Sequence, residues 1–368
     1  MGLQQEIDKM RQEIRADSYS MSIGEWSSLY DDNEIDIHPE FQRFFRWSSF
    51  QKTGLIESIL LGIPIPPIFV AQREDGIWDV VDGVQRLSTI YEFMGKLKNE
   101  NNEKVEPLVL EETKYLPNLE GKKWHDPEDE ENSLSQSQRL LIKRAKIDVT
   151  ILLKESDEIA KYELFQRLNT RGSIATQQEV RSCILVMLNK EMFNWMRKMS
   201  HNEEFQECVS LSDRPLQEQY DMELLLRFLI FRTIQPGELK KIRNDLGSFI
   251  TDKMIDMAQN KKFNYSIEEF AFKTTFKVLY ENMGSDSFRR YSKTKQQFMG
   301  GFLVSAYEVI ALGIGYHYKS IEDSHINIRD KIKELWSNEN YQKWSGSGTT
   351  AQRRIPKLVP LGRTMFKP

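Results

Sequence analysis

The segment 80–90, VVDGVQRLSTI, holds the residues of this chain that are best placed to do chemistry. Two valines favour a short strand, the Asp82-Gly83 pair favours a tight turn, and apolar residues then recur every three or four positions, as on one helix face. The first amides of a helix lack backbone partners and carry the positive end of its dipole, so they attract an anion. Arg86 adds a planar, permanently charged group suited to phosphate oxygens. We therefore predict an anion site at this turn; the simpler interpretation is an ordinary connection with Arg86 in solvent.

Polar residues also stand at the ends of other predicted elements. Gln42-Arg43 and Trp47 precede a predicted helix that contains Glu57. The ring of Trp47 would stack on a base or pack in the core, and packing is the commoner role. Asn169 to Gly172 ends a helical stretch, either as a functional loop or as a glycine-ended helix terminus.

The charge balance restricts how the chain can meet a nucleic acid. Its 368 residues include 55 acidic and 51 basic side chains, a net charge of −4, so any such contact needs a local basic patch. Residues 340–368 contain no acidic residue and are the candidate, either as a weak DNA-binding tail or as a poorly ordered terminus. The basic residues predicted to touch DNA there are Arg353, Arg354, Lys357 and Arg363.

Other site classes find little support in the sequence. Cys183 and Cys208 are too few for a disulfide framework or a zinc site, which indicates a reducing, cytoplasmic setting with Cys183 in the core. The apolar stretch 302–315 is too short to span a bilayer, so no membrane association is predicted. Walker A and G-x-S-x-G strings are absent, and Asp148 lacks the acid-x-Lys pattern of a two-metal nuclease. The sequence does not specify a set of metal ligands.

The predicted elements divide the chain into an α/β core and a helical half. IFVAQ, IWDVV and RAKIDVTILL read as strands, and Ser49 to Leu61 as a helix. YSMSIGEWSSLY reads as extended chain, DPEDEENSLSQSQ as a solvated loop, and KQQFMGGFLVSAYEVIAL as one of several helices in an all-α second half. We therefore expect an α+β protein with a core domain over 1–155, a helical domain over 156–338 and a basic segment over 339–368.

Four segments resemble the GmrSD-type N-terminal domain family in order and spacing: HPEFQRFFRW, LIESILLGIPIPPIFV, DVVDGVQRLSTI and FQRLNTRGSIATQQEVRSCILVML. The resemblance runs from about residue 20 to the basic C-terminus. It implies a small ParB/sulfiredoxin-like α/β core, a role in restriction of modified phage DNA, and nucleotide binding and hydrolysis through a DGQQR signature. Asp82, Gly83, Gln85 and Arg86 match that signature, whereas Val84 replaces its first Gln and has no side-chain amide to make that residue's contacts.

The remaining motifs carry the resemblance further. Gln42, Arg43 and Trp47 match an upstream Gln-Arg motif of the family, and Asn169 and Gly172 match its Asn-containing loop. Fused members add a His-Asn-His nuclease domain, and no matching His-rich segment is visible in this sequence. The resemblance therefore implies a stand-alone member that acts with a partner nuclease.

The combined expectation is a nucleotide-binding, NTP-hydrolysing component of a bacterial anti-phage system that acts on or senses DNA. Phosphates would lie on the helix amides and Arg86, with Mg²⁺ or water positioned by Asp82 or Glu57, and Gln85 would orient the attack. The predicted catalytic residues are Asp82, Gln85 and Arg86, and the predicted nucleotide-binding residues are Gly83, Gln42, Arg43, Glu57, Ser88, Asn169 and Arg171. Two alternatives stay open: a ParB-like DNA-binding or adaptor module without turnover, and a DNA endonuclease in its own right.

Overall fold

The computed structural model describes residues 2–4, 15–37, 47–99, 101–153, 176–242, 245–324, 326–346 and 348–368. The chain folds as two compact units, residues 1–175 and residues 176–368. The first unit contains a mixed sheet with helices and the second is mainly helical, which confirms the predicted α+β class.

The first unit contains short strands with helices interspersed between them along the chain. Its described strands are β1 (Ala16–Ser22), β2 (Ile35–Asp36), β3 (Ile68–Gln72), β4 (Trp78–Asp82) and β5 (Lys146–Leu152). Its described helices are α1 (Ile23–Asp31), α2 (Ser49–Leu60), α3 (Val84–Phe93) and α4 (Gln136–Arg144).

The five strands form one sheet in the order β1-β5-β3-β4-β2. The β3 and β5 strands are parallel neighbours at its centre, and their inward residues, such as Val70 and Val149, are fully buried. The β4 strand runs antiparallel to β3, so its last residue, Asp82, pairs with Phe69 near the beginning of β3. This pairing places the end of β4 beside the prolines that precede β3.

Two segments of this unit that were predicted to be non-helical form helices, and a capping box at the start of each helix explains the difference. Residues 23–31 form α1 rather than extended chain, because the Ser22 hydroxyl accepts from the Glu25 amide while the Glu25 carboxylate accepts from the Ser22 amide at 2.7 Å. The α4 helix begins inside the stretch predicted as a loop, where Ser135 and Gln138 form the same reciprocal pair. A capping box therefore outweighed the strand-like and loop-like composition around it.

The second unit is a set of packed helices with one small hairpin. Its described helices are α5 (Gln177–Leu188), α6 (Lys190–Ser200), α7 (Glu203–Val209), α8 (Asp213–Gln217), α9 (Tyr220–Phe231), α10 (Pro236–Leu239), α11 (Leu246–Gln259), α12 (Tyr265–Met283), α13 (Val304–Tyr316), α14 (Ile328–Leu335), α15 (Glu339–Ser345) and α16 (Ala351–Met365). The strands β6 (Arg290–Ser292) and β7 (Gln297–Met299) pair antiparallel, so the all-α prediction for this half was wrong at the hairpin. The helix predicted from residue 295 begins only at Val304.

The basic C-terminal segment forms α16, which packs closely on α13. A Cβ added at Gly362 would lie 2.2 Å from the carbonyl oxygen of Val309, so the two helix backbones are almost in contact. Ile355, Leu358 and Val359 of α16 are buried. The segment is therefore part of the helical core rather than a poorly ordered terminus.

Two smaller predictions concern the core and the membrane. Cys183 is fully buried, as predicted, and Cys208 is buried as well; both are free thiols. None of the helices that the structure describes has the length and apolar character needed to cross a bilayer.

Candidate functional site

Gly83 joins β4 to α3, and the strand, turn and helix lie where the sequence predicts them. Its backbone is in the left-handed region (φ 100°, ψ 9°), and α3 begins at the next residue. A Cβ here would come within 2.8 Å of Ile68 Cδ1 and 3.1 Å of an Arg86 nitrogen. Both the dihedral angle and the close neighbours require glycine. The space beside it is filled by the protein itself, so this glycine permits packing rather than the approach of a ligand.

The N-terminus of α3 differs from those of α1, α2 and α4, the other α-helices described in this unit. Ser22, Ser48 and Ser135 each cap their helix with a side chain in a capping box. Gly83 makes no such bond, because it has no side chain. The first amides of α3 are thus left without the side-chain acceptor that N-cap residues usually supply.

Arg86 turns back across the turn instead of pointing into solvent. One of its terminal nitrogens donates to Asp82 Oδ2 at 2.8 Å and to the carbonyl oxygen of Pro67 at 3.1 Å. The exposed fraction is 15% for the Arg86 side chain and 30% for Asp82. Its Nε is buried and has no hydrogen-bond partner among the described residues. A buried donor left unpaired costs about 1–3 kcal/mol, which an oxygen-rich ligand would recover.

Gln85 and the α2 helix connect this turn to the preceding segment. The Gln85 side-chain oxygen accepts from the Trp47 amide at 3.3 Å. Lys52 of α2 donates to both carboxylate oxygens of Glu92 in α3, at 2.6 and 2.9 Å, which holds the two helices together. The upstream Gln-Arg motif, with Gln42 and Arg43, lies outside the described residues, as do Asn169 and Arg171.

Two further predicted nucleotide-binding residues have different surroundings. Glu57 accepts from the Thr113 hydroxyl and, at 3.2 Å each, from the amides of Tyr115 and Leu116. It therefore anchors the 113–116 loop to α2. Ser88 is buried on α3, and its hydroxyl has no partner among the described residues.

The four predicted DNA-binding residues of α16 divide into two pairs. Arg354 donates to both oxygens of the buried Glu308 carboxylate, at 2.6 and 2.9 Å. Arg363 donates to three carbonyl oxygens at the end of α9, at distances of 2.8 to 3.1 Å. Arg353 and Lys357 are exposed, and Lys357 lies over the Trp344 ring.

A network of charged groups extends inward from Glu308. Arg227 lies 3.4 Å from Glu308 and 2.5 Å from Glu223, and Arg181 reaches Glu223 at 3.4 Å. Burial opposes the charged form of Glu223, but Arg227 and Arg181 more than offset it and hold its pKa below the usual range. These contacts join α5, α9, α13 and α16.

Metal ligands and cavities do not add residues to the predicted site. Within the described ranges, no three His, Cys, Asp or Glu side chains come together as a metal-binding group. A cleft of about 710 Å³ lies along β1 and α1, with Lys96 and Lys143 on its wall. Gly83, Glu57 and Ser88, the predicted nucleotide-binding residues that the structure describes, do not line it.

Two residues that contribute to the turn, Pro67 and Ile68, were not among the predicted site residues. They come from β3 and the residue before it, and only the pairing of β3 with β4 brings them to Gly83 and Arg86. The Pro66-Pro67 pair ahead of a strand indicated a backbone of fixed φ, and therefore a fixed position for the Pro67 carbonyl. It did not indicate which side chain that carbonyl would meet.

Fold and site together define a two-unit α+β protein whose sheet ends in a strand–glycine–helix turn with an inward-facing arginine. Residues 26–186 match the family described as GmrSD restriction endonuclease, N-terminal domain. This match confirms the predicted family resemblance over that segment, and it supports a role as a component of a restriction-type, anti-phage system. Neither the curated proteins nor the solved structures include one that matches this chain.

Proposed function

We propose that the β4–α3 turn binds the phosphates of a nucleoside triphosphate and that the chain hydrolyses it, as part of a system that acts on or senses DNA with a partner nuclease. One observation carries the proposal: the Nε of Arg86 is buried, has no partner in the described part of the chain, and lies beside a helix start without a side-chain cap. The positive end of the α3 dipole and the Arg86 guanidinium both attract the negative charge of phosphate oxygens. Ser88 adds a buried hydroxyl on the same helix, also without a partner among the described residues.

The charge of Asp82 bears on what must accompany the nucleotide. Its carboxylate lies 2.8 Å from Arg86, so a triphosphate bound to Arg86 would meet a negative group. A divalent cation removes that repulsion, and Mg²⁺ commonly uses one or two carboxylates together with phosphates and water. Asp82 fits that donor set and would hold the Mg²⁺ of a Mg²⁺–nucleotide; the cation would offset the charge that develops on the phosphates.

The other predicted residues have supporting roles in this proposal. In hydrolysis, water attacks the γ-phosphorus, the bond to the bridging oxygen breaks, and nucleoside diphosphate and inorganic phosphate leave. Gln85 would orient the attacking water, for which its side chain must exchange its contact with the Trp47 amide. Gln42, Arg43, Asn169 and Arg171 would complete the nucleotide site, and Glu57 would shape it through the 113–116 loop.

The first test is nucleotide-dependent stabilisation in wild type and in Arg86→Ala. A ligand at 100 times its Kd stabilises a folded protein by about 2.7 kcal/mol. Loss of a desolvated phosphate partner costs about 2–4 kcal/mol, which weakens binding roughly 30- to 700-fold. At the same nucleotide concentration, the variant should therefore keep less than about 1 kcal/mol of the stabilisation.

The control is Lys52→Ala, which also breaks a half-buried ion pair to α3 but removes no proposed phosphate ligand. Thermal unfolding is followed with each of the four NTPs and Mg²⁺, and phosphate release is measured with and without DNA. We expect Lys52→Ala to keep its nucleotide response and Arg86→Ala to lose both binding and phosphate release. Equal nucleotide affinity in wild type and Arg86→Ala would remove the basis of the proposal. Binding without phosphate release in any condition would favour the adaptor function.

A further inference from the structure

The β6–β7 hairpin is a second basic surface, in addition to the C-terminal segment that the sequence singles out. Between Asp286 and Glu308 the chain has no acidic residue and four basic ones, in a protein whose net charge is −4. Arg290, Lys293 and Lys295 are exposed. The hairpin therefore supplies the local positive patch that contact with a polyanion requires.

Side-chain hydrogen bonds shape the turn that carries these cations. The Ser292 hydroxyl accepts from the Lys295 amide at 3.3 Å and meets the Thr294 hydroxyl at 3.1 Å. Gln296 takes a positive φ of 53°, and its side chain donates to the Lys293 carbonyl at 2.9 Å while accepting from the Tyr291 hydroxyl at 2.8 Å. The two lysines thus project from a turn whose backbone is held in place.

The two faces of the hairpin differ, because side chains alternate along a strand. Tyr291 and Phe298 lie opposite one another, with ring centroids 5.0 Å apart. Two cations of α14 stand over these rings: Arg329 is 5.8 Å from the Phe298 centroid, and Lys333 is 6.0 Å from that of Tyr291. The α14 helix therefore adds its positive charge to the same surface.

The charges of this surface do not cancel. Its cations are Arg289, Arg290, Lys293, Lys295, Arg329 and Lys333, and the carboxylates beside them are Asp286 and Asp330. Asp286 lies 3.7 Å from Arg289 and Asp330 lies 3.0 Å from Lys333. Four positive charges remain in excess, and Ser292, Thr294 and Gln297 add polar groups of the kind that bind phosphate oxygens.

We propose that the β6–β7 hairpin, together with the adjoining cations of α14, contacts the phosphate backbone of duplex DNA. A two-stranded ribbon fits the major groove of B-form DNA, whereas the deep, narrow major groove of A-form RNA does not admit side chains. This inference locates the DNA-contacting surface of the proposed function, and it does not depend on nucleotide hydrolysis. It assigns the main contact to the hairpin rather than to α16, where Arg354 and Arg363 are bound internally.

The test compares two double variants of the full chain that lose the same charge. Lys293→Ala/Lys295→Ala removes both turn cations, and Lys261→Ala/Lys262→Ala removes two exposed lysines just before α12. The hairpin follows the other end of α12, whose 19 residues span roughly 28 Å. Affinity for a 20-base-pair duplex is measured by fluorescence anisotropy from 50 to 300 mM salt.

We expect the hairpin variant to lower the slope of log affinity against log salt by about 2, since each lost phosphate contact removes about 0.9. That change corresponds to an affinity loss of up to roughly 60-fold at 0.1 M salt. The Lys261/Lys262 control should keep the wild-type slope, and thermal unfolding of both variants should match wild type because all four lysines are exposed.

Three results would overturn the inference. Two concern the variants: an unchanged slope of log affinity against log salt in the hairpin variant, or an equal loss of DNA affinity in both variants. The third is a wild-type protein that binds phosphatidylserine vesicles but does not bind DNA at 50 mM salt. Two cross-checks separate it from the nucleotide proposal. Arg86→Ala should bind DNA as wild type does, and the hairpin variant should keep the wild-type stabilisation by Mg²⁺ and NTP.

Discussion

Replacing Gly83 by alanine tests whether the β4–α3 turn depends on this glycine for both its conformation and its packing. A non-glycine residue at φ 100° pays about 1–2 kcal/mol of backbone strain. The new Cβ would also lie 2.8 Å from Ile68 Cδ1, and Ile68 is fully buried, so the core must move. Overpacking of that kind costs about 1–3 kcal/mol. We expect a total loss of about 2–5 kcal/mol.

Gly76→Ala is the matched control for this variant. Gly76 has a φ of 89°, in the turn between β3 and β4, but a Cβ there would meet no atom within 4 Å. The Gly76→Ala variant should lose only the free energy of unfolding that backbone strain at positive φ removes, about 1–2 kcal/mol. The difference between the two variants, about 1–3 kcal/mol, measures the crowding by Ile68 and Arg86.

Hydrogen exchange followed by mass spectrometry suits this comparison, because the chain has two units that need not unfold together. Peptides covering β3 and α3 should lose more protection in Gly83→Ala than in Gly76→Ala. Because the Cβ would also approach Arg86 to 3.1 Å, the variant should weaken stabilisation by Mg²⁺ and NTP. Equal loss of protection in the two alanine variants would refute the packing argument.

Two further predictions concern the helical unit. Glu223→Gln should destabilise it by about 3 kcal/mol at pH 7, since two largely buried arginines lose a charged partner. The folded-state pKa of Glu223 lies below its unfolded value of about 4.3, so its contribution to the free energy of unfolding is complete above that pH and is lost as pH falls through the folded pKa. In urea titrations, the difference in unfolding free energy between wild type and variant should therefore narrow below about pH 4. An equal difference at pH 3 and pH 7 would contradict the assignment. Gly362→Ala should lower the free energy of unfolding by about 3 kcal/mol or more, because its Cβ would overlap the backbone of Val309. The control Gly237→Ala, with open space around the new Cβ, should leave stability nearly unchanged. A similar melting temperature for the two variants would rule out the close helix contact.

Local signals predicted much of the first unit correctly. The β3, β4 and β5 strands and the α2 and α3 helices lie close to their predicted positions, because β-branched runs, proline, glycine and helical periodicity act over a few residues. The two missed helices had local signals as well, in the capping boxes at Ser22 and Ser135. The sequence therefore contained the information that specifies these two helices, in the capping residues rather than in the surrounding composition.

The hairpin in the second unit was harder to predict from local sequence. Residues 295–303 contain two glycines, yet the apolar stretch that follows favoured a longer helix. The opposed Tyr291 and Phe298 stabilise the strands across the turn, and such a cross-strand pair is visible only once the register is known. The basic patch likewise needs α14 beside the hairpin, which sequence spacing does not reveal.

The amino-acid sequence alone determined that a strand, a tight turn and an amphipathic helix would meet at Asp82-Gly83, because each of these preferences is set by neighbouring residues. Only the tertiary structure decided what surrounds that turn. The antiparallel pairing of β3 with β4 brings the Pro67 carbonyl to Arg86 and Ile68 against Gly83. Helix packing likewise decided that Arg354 and Arg363 point inward. The buried Glu308 carboxylate needs a charged partner and the carbonyls at the end of α9 need donors, and these two arginines of α16 meet them from a distant part of the chain.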